Sequence, residues 1–169
     1  MEIVETERLR LRHLTPDDAP FILELLNEPA FHQNIGDRGV RSIADARGYI
    51  LTGPMTSYAR YGFGLYLVEL KDSHTPLGMC GILKRDTLDD ADIGFAFRPQ
   101  FWGNGYAVEA AQAVKEYAFQ QLQLKRFVAI TLPTNRGSIR VLETIGMQLE
   151  KRVRLTANSE ELLLFACDQ

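Results

Sequence analysis

The sequence predicts an α/β fold of the α+β kind: one domain over residues 1–169, with a mixed, mainly antiparallel sheet of about seven strands and about four flanking helices. Three observations lead there. First, the apolar run Asp92–Arg98 enters a glycine-rich turn, a helical pattern covers Glu109 to Leu122, and a β-rich run follows at Arg126–Leu132. Strand, helix and strand in so short a span make a right-handed crossover and one parallel pair. Second, Phe63–Leu70 and Leu77–Lys84 flank the polar turn Lys71–Pro76, and the last two runs, Gln148–Arg154 and Glu161–Ala166, flank Thr156–Ser159. Both pairs read as antiparallel hairpins. Third, 169 residues is the length of one domain and can bury a core without metal or disulfide support.

Taken in order, Arg8–Arg12 alternates polar and apolar residues, as a half-buried strand does. Thr15-Pro16-Asp17-Asp18 starts a helix: a capping hydroxyl, a proline at the first position and acids at the positive end. It runs to about Asn27, and Glu28-Pro29 ends it. Ala30–Arg41 shows no period and reads as a loop. Ser42 and Asp45 form a capping box for a second helix that reaches Leu51, and Thr56–Tyr61 suggests a further helical turn. On the Asp92–Arg98 strand, Ile93, Phe95 and Phe97 share one face, and Asp92, Gly94 and Ala96 the other. The helix after the turn has an apolar line at Ala107, Ala111, Val114, Ala118 and Leu122. Asn135 caps a last helix that ends at Gly146.

Composition narrows the functional classes. Hydrophobic residues make up 46% and charged ones 24%, with a net charge of −3. That balance argues against a nucleic-acid or anionic-membrane partner. No apolar run reaches the roughly 18 residues that span a bilayer. The N-terminus has no basic and apolar signal, so a cytoplasmic protein with reduced thiols is expected. Cys80 and Cys167 sit in apolar strand-like runs and read as core residues. No Cys/His cluster has metal spacing, so no metal is expected.

The chemistry concentrates at Gln100-Phe101-Trp102-Gly103-Asn104-Gly105-Tyr106-Ala107. A glycine-rich turn opening a helix presents unpaired N–H groups at the positive end of the dipole, a site for phosphate oxygens. A ligand-free tight turn would have the same sequence features. A dinucleotide fingerprint fits poorly, because Val108 stands where the third glycine belongs and Gln121–Leu124 offer no acid for a ribose. The third reading is a pyrophosphate cradle built on Gln100, Gly103, Gly105 and Ala107.

That pattern resembles the acetyl-CoA motif of the GNAT superfamily of N-acetyltransferases. Phe101–Ala110 looks most like the branch that holds the RimJ and RimL ribosomal-protein acetyltransferases. The opening Glu7–Arg12 with Thr15-Pro16 is similar to that branch, and so is Asn135-x-x-Ser138 followed by Gly146-Met147, with Met147 where Phe is common. The resemblance covers nearly the whole chain. It implies direct transfer of an acetyl group from acetyl-CoA, the cosubstrate, to an amine: a protein N-terminus, or a small molecule such as a polyamine, amino acid or aminoglycoside. A CoA-binding sensor without catalysis is the competing reading. A monomer or a homodimer is compatible with it.

The resemblance also implies roles for residues. The cofactor would lie on Phe95, Phe97, Arg98, Trp102, Gly103, Asn104, Gly105, Tyr106, Ala107 and Asn135. A strand N–H near Phe95 or Phe97 would face the thioester oxygen. Ser138 would give a proton to the leaving thiolate, although a serine in a first helical turn is also a common capping partner. Apart from the resemblance, Asp92 is nominated as the base from its place on the small face of its strand, with a solvated strand-end acid as its other reading and a water chain as the alternative base. Glu109 reads as a solvated or dipole-favoured acid, Arg136 and Arg140 as phosphate contacts or solvated surface. The acceptor is expected to enter between the segment from about Phe31 to Tyr61 and the last hairpin around Thr156–Ser159, and of the histidines only His32 lies there.

Overall fold

The computed structural model describes residues 1–169. The strands are β1 (Glu2–Glu5), β2 (Leu9–His13), β3 (Leu65–Leu70), β4 (Pro76–Leu83), β5 (Asp92–Phe97), β6 (Arg126–Thr131), β7 (Gln148–Val153) and β8 (Leu162–Asp168). They form one sheet in the order β1-β2-β3-β4-β5-β6-β8-β7. Only β5 and β6 run parallel. The helices are α1 (Ala19–Leu26), α2 (Pro29–Asn34), α3 (Ile43–Thr52), α4 (Pro54–Tyr61), α5 (Tyr106–Gln120) and α6 (Arg136–Thr144). No helix is long and apolar enough to cross a membrane.

The mixed, mainly antiparallel architecture is the expected one, with additions. β1 is a strand the sequence did not announce; it pairs with β2 through an irregular register. The expected loop Ala30–Arg41 contains α2. Pro29 stops α1, but it also occupies the first position of α2, where its missing N–H costs nothing. The turn at Thr56–Tyr61 is the body of α4, closed by Gly62 in the left-handed conformation.

Strand parity sorts the core into two layers. Leu9, Leu11, Tyr66, Cys80, Ile82, Ile93, Phe97, Phe127, Ala129 and Phe165 face α5 and α6. Their partners on α5 include Ala110, Ala111, Val114 and Ala118, small residues that let the helix sit close to the sheet. The opposite face carries Leu67 and Met79, which pack against Ile22, Leu25, Leu26, Ala46 and Ile50 of α1 and α3. Both cysteines are free and buried.

Candidate active site

The two parallel strands diverge toward their C-terminal ends, and the expected site residues other than Asp92 lie on the last half of β5 or in the segments that follow β5 and β6. β5 delivers the glycine-rich loop and α5, and β6 delivers Asn135 and α6. Gly103 and Gly105 have φ of +81° and +80°, a region where other residues are strained. A side chain at Gly103 would meet open space, and one at Gly105 would come within 3.4 Å of Arg8 Nη2. The N–H groups of Phe101 and Trp102 are spent on the carbonyls of Arg98 and Pro99, at 3.0 and 3.1 Å. From Gly103 through Val108, no backbone N–H donates to a protein acceptor. This run of free donors, at the positive end of a helix and unobstructed at two glycines, fits a pyrophosphate.

Not every residue assigned to the cradle contributes a donor to it. Trp102, 55% exposed, uses its indole Nε1 to donate to the Phe97 carbonyl at 3.0 Å and so ties the loop to the end of β5. The Asn104 side chain donates to the Phe101 and Trp102 carbonyls, which leaves its backbone N–H for a ligand. Arg98 turns toward α1, where Nη2 donates to Glu24 Oε1 at 2.9 Å and the guanidinium lies near the rings of Phe21 and Phe101. Its Nε is buried without a partner.

The largest feature the sequence did not disclose is Arg8. Its Nη1 donates to the Asn104 carbonyl at 2.9 Å and its Nε to Glu109 Oε1 at 2.7 Å. Its backbone N–H also donates to Glu109 Oε2, as does the Thr6 hydroxyl. Its guanidinium lies 4.5 Å from the centre of the Tyr106 ring. Glu109 is therefore not a free surface acid. Burial works against its charge, but the hydrogen bonds from Thr6 and Arg8 outweigh burial and hold the carboxyl below its usual range. The clamp joins the β1–β2 turn to the first turn of α5 and places a cation beside the cradle.

Below the cradle the sheet comes apart. β5 and β6 pair only at Asp92 and Val128, with Val128 N–H donating to Ala91 O at 2.9 Å. Alternation then points the N–H groups of Phe95 and Phe97 toward β6, where no paired strand receives them. On β6 the peptide of Ile130 faces the same gap. The gap has unpaired donors and acceptors on both sides, as an extended amide-bearing chain requires.

Asp92 closes the foot of this gap, at the other end of β5 from the cradle. It is 1% exposed, not the solvated strand-end acid that was one of its two readings. Arg85 Nε lies 3.2 and 3.3 Å from its two oxygens. Burial pushes the carboxyl up to about 6, against the pull of Arg85 and Lys84. At the upper end, Asn135 caps α6 by accepting from Ser138 N–H at 3.2 Å. The Ser138 hydroxyl is half-buried and makes no hydrogen bond within the protein. Arg136 and Arg140 are exposed. His32 lies on α2 with Nε2 buried and unpartnered, 3.9 Å from Asp37 Oδ1.

Comparison with known proteins agrees with this geometry. Residues 8–148 match the family model described as "Acetyltransferase (GNAT) domain". The protein YkkB of Bacillus subtilis is 34% identical over 152 residues, covering 88% of this chain and 87% of that protein. The N-acetyltransferase p20 of Bacillus licheniformis is 28% identical over 162 residues, covering 91% and 86%. Among solved structures, a RimL ribosomal L7/L12 alpha-N-protein acetyltransferase in complex with coenzyme A superposes with a TM-score of 0.85 over 99% of this chain and 98% of that one; at 19% identity it shows a shared fold. A family match that begins at the clamp residue Arg8, takes in the cradle and the parted strands, and ends beyond the Asn135 cap makes this chain a GNAT N-acetyltransferase.

Proposed function

We propose that the enzyme moves an acetyl group from acetyl-CoA directly to a primary amine, without an acyl-enzyme. The observation that carries this reading is the parted pair β5 and β6 beneath a run of free N–H groups from Gly103 to Val108. Acetyl-CoA, when bound, supplies the thioester. The free N–H groups of Gly103, Asn104, Gly105, Tyr106 and Ala107 hold its pyrophosphate, with the Arg8 cation beside them. The Phe95 and Phe97 N–H groups face the gap and donate to the thioester oxygen as negative charge develops there. Asn135 holds the first turn of α6 in place.

The proton inventory uses two side chains. The acceptor arrives as an ammonium and loses a proton to the Asp92 carboxylate, directly or through water. The amine lone pair forms the C–N bond as the C–S bond breaks. The nitrogen, still carrying two hydrogens once the C–N bond has formed, gives one up to solvent to become the amide, and the Ser138 hydroxyl gives its proton to the departing sulfur and recovers one from solvent. No metal is required. Free, buried Cys80 and Cys167 suit a cytoplasmic enzyme. A protein N-terminal amine is the reading of the acceptor that the resemblance to RimJ and RimL supports, and an amine on a small molecule is the alternative.

The test is thiol release from acetyl-CoA across free-N-terminus peptides, polyamines, amino acids and aminoglycosides, with acetyl-CoA binding measured alongside. Release above the hydrolysis background with one class of amine is expected, and that class names the acceptor. Release with peptides alone would make it a protein N-terminus. Binding with no release on any amine would make the protein a CoA-binding sensor.

A further inference from the structure

A cavity of about 390 Å³ opens on the α1–α4 side of the sheet, at the edge opposite the cradle. Its walls come from the end of α3, from α4 and from the start of the β4–β5 loop. Leu65 and Leu83 floor it. Those two side chains lie against Gly94, where an added Cβ would come within 3.0 Å of Leu83 and 3.7 Å of Leu65. Arg85, on the cavity wall, is also the residue that holds Asp92. The cavity is thus one side chain away both from the middle of β5 and from the nominated base. Acetyl-CoA would enter from the cradle edge, and this opening reaches the same strand from the other.

The polar lining has a sign. Arg60, Lys84 and Arg85 supply cations, and Asp86 is the acid that lines the cavity with them. Lys84 Nζ donates to the Arg85 and Leu88 carbonyls at 2.8 and 2.7 Å, which positions it and leaves a third proton. Arg85 uses only Nε on Asp92, so both of its terminal nitrogens have no protein acceptor. Arg60 makes no ion pair and lies 5.2 Å from the centre of the Tyr61 ring. Planar guanidinium groups with unused N–H pairs match a carboxylate. The volume lies at the small end of the range for small-molecule pockets.

We propose that this cavity is the acceptor pocket and selects a small primary amine that also carries a carboxylate. The proposal rests on the acetyltransferase reading of the β5–β6 gap. The acceptor's carboxylate would sit on Arg60 and the terminal nitrogens of Arg85, and its ammonium toward Asp92, so the pocket reads both charges of a zwitterion.

The experiment uses matched pairs: a set of L-amino acids and the same amino acids as their C-terminal amides, each assayed for thiol release from acetyl-CoA. Calorimetric binding of each pair to CoA-saturated enzyme gives a readout without turnover. The acids should show kcat/KM at least about tenfold above their amides, and tighter binding in the same order. Arg60→Gln, at an exposed position, should cut that acid-to-amide ratio about tenfold, with the change in KM and not in kcat. Equal turnover of acids and amides, or a ratio untouched in Arg60→Gln, would overturn carboxylate recognition and leave the enzyme standing. Turnover of peptides alone would overturn the pocket. Bound acetyl-CoA with no thiol release on any amine would overturn the acetyltransferase reading and this proposal together.

Discussion

Asp92 and Ser138 make opposite demands on their surroundings. A base must be ionised to work, and Asp92 is buried to the point where ionisation waits until about pH 6. The rate, as kcat/KM, should therefore fall as pH drops through about 6, and this limb should vanish in Asp92→Asn along with most of the activity. The stability consequence has a definite sign. The folded carboxyl keeps its proton to higher pH than the unfolded one, near 3.8, so the folded state gains as pH falls from about 6 toward 4. Roughly two units at about 1.36 kcal/mol each give a cost on the order of 3 kcal/mol at neutral pH. Asp92→Asn should then melt no lower than the parent at pH 7.5, a result that separates a chemical role from a structural one. Ser138 needs the reverse, a hydroxyl with its proton uncommitted, and no protein group competes for it. Ser138→Ala should lower kcat by roughly 10² and leave acetyl-CoA binding intact, as titration of the cofactor would show. Unchanged kcat would return Ser138 to being a member of the first turn of α6.

At the scale of elements, the loop between β5 and α5 is the part that sequence discloses best. Two glycines before a helical pattern imply positive φ and open backbone, and both are found. The clamp that orients the loop was illegible, because Arg8 and Glu109 lie 101 residues apart and nothing local marks either as partnered. Pro29 was read as a stop when it is also a start, so α2 passed for loop. Asp92 could be placed on its strand face from alternation, but its burial depends on Arg85 from the β4–β5 loop folding over it. The clamp carries its own prediction. Arg8→Ala removes charged hydrogen bonds worth about 1.5–3 kcal/mol each, so KM for acetyl-CoA should rise at least about tenfold while KM for the acceptor holds. Gly105→Val, strained at φ +80° and pressed toward Arg8, should abolish cofactor binding in a direct titration. Retained binding in Gly105→Val would remove the cradle from the cofactor site.

The whole molecule depends on close approach between β3 and β4, which join the two core layers. An added Cβ at Gly81 would lie 2.0 Å from the Gly64 carbonyl oxygen and 2.8 Å from Leu65 Cα, both backbone. Neither can move without shifting the start of β3. Gly81→Ala should cost about 1–3 kcal/mol, measured by denaturant unfolding, and lower Tm by about 2–4 °C per kcal/mol.

The sheet is joined at one rung between its two largest blocks. Between β5 and β6 the strand pairing is limited to Asp92 with Val128, while the core under α5 and the Arg126–Asp90 ion pair join the two halves. An extended chain laid in the seam would make the missing rungs. An acetyl donor bound as proposed would in that sense serve as one more strand of the fold.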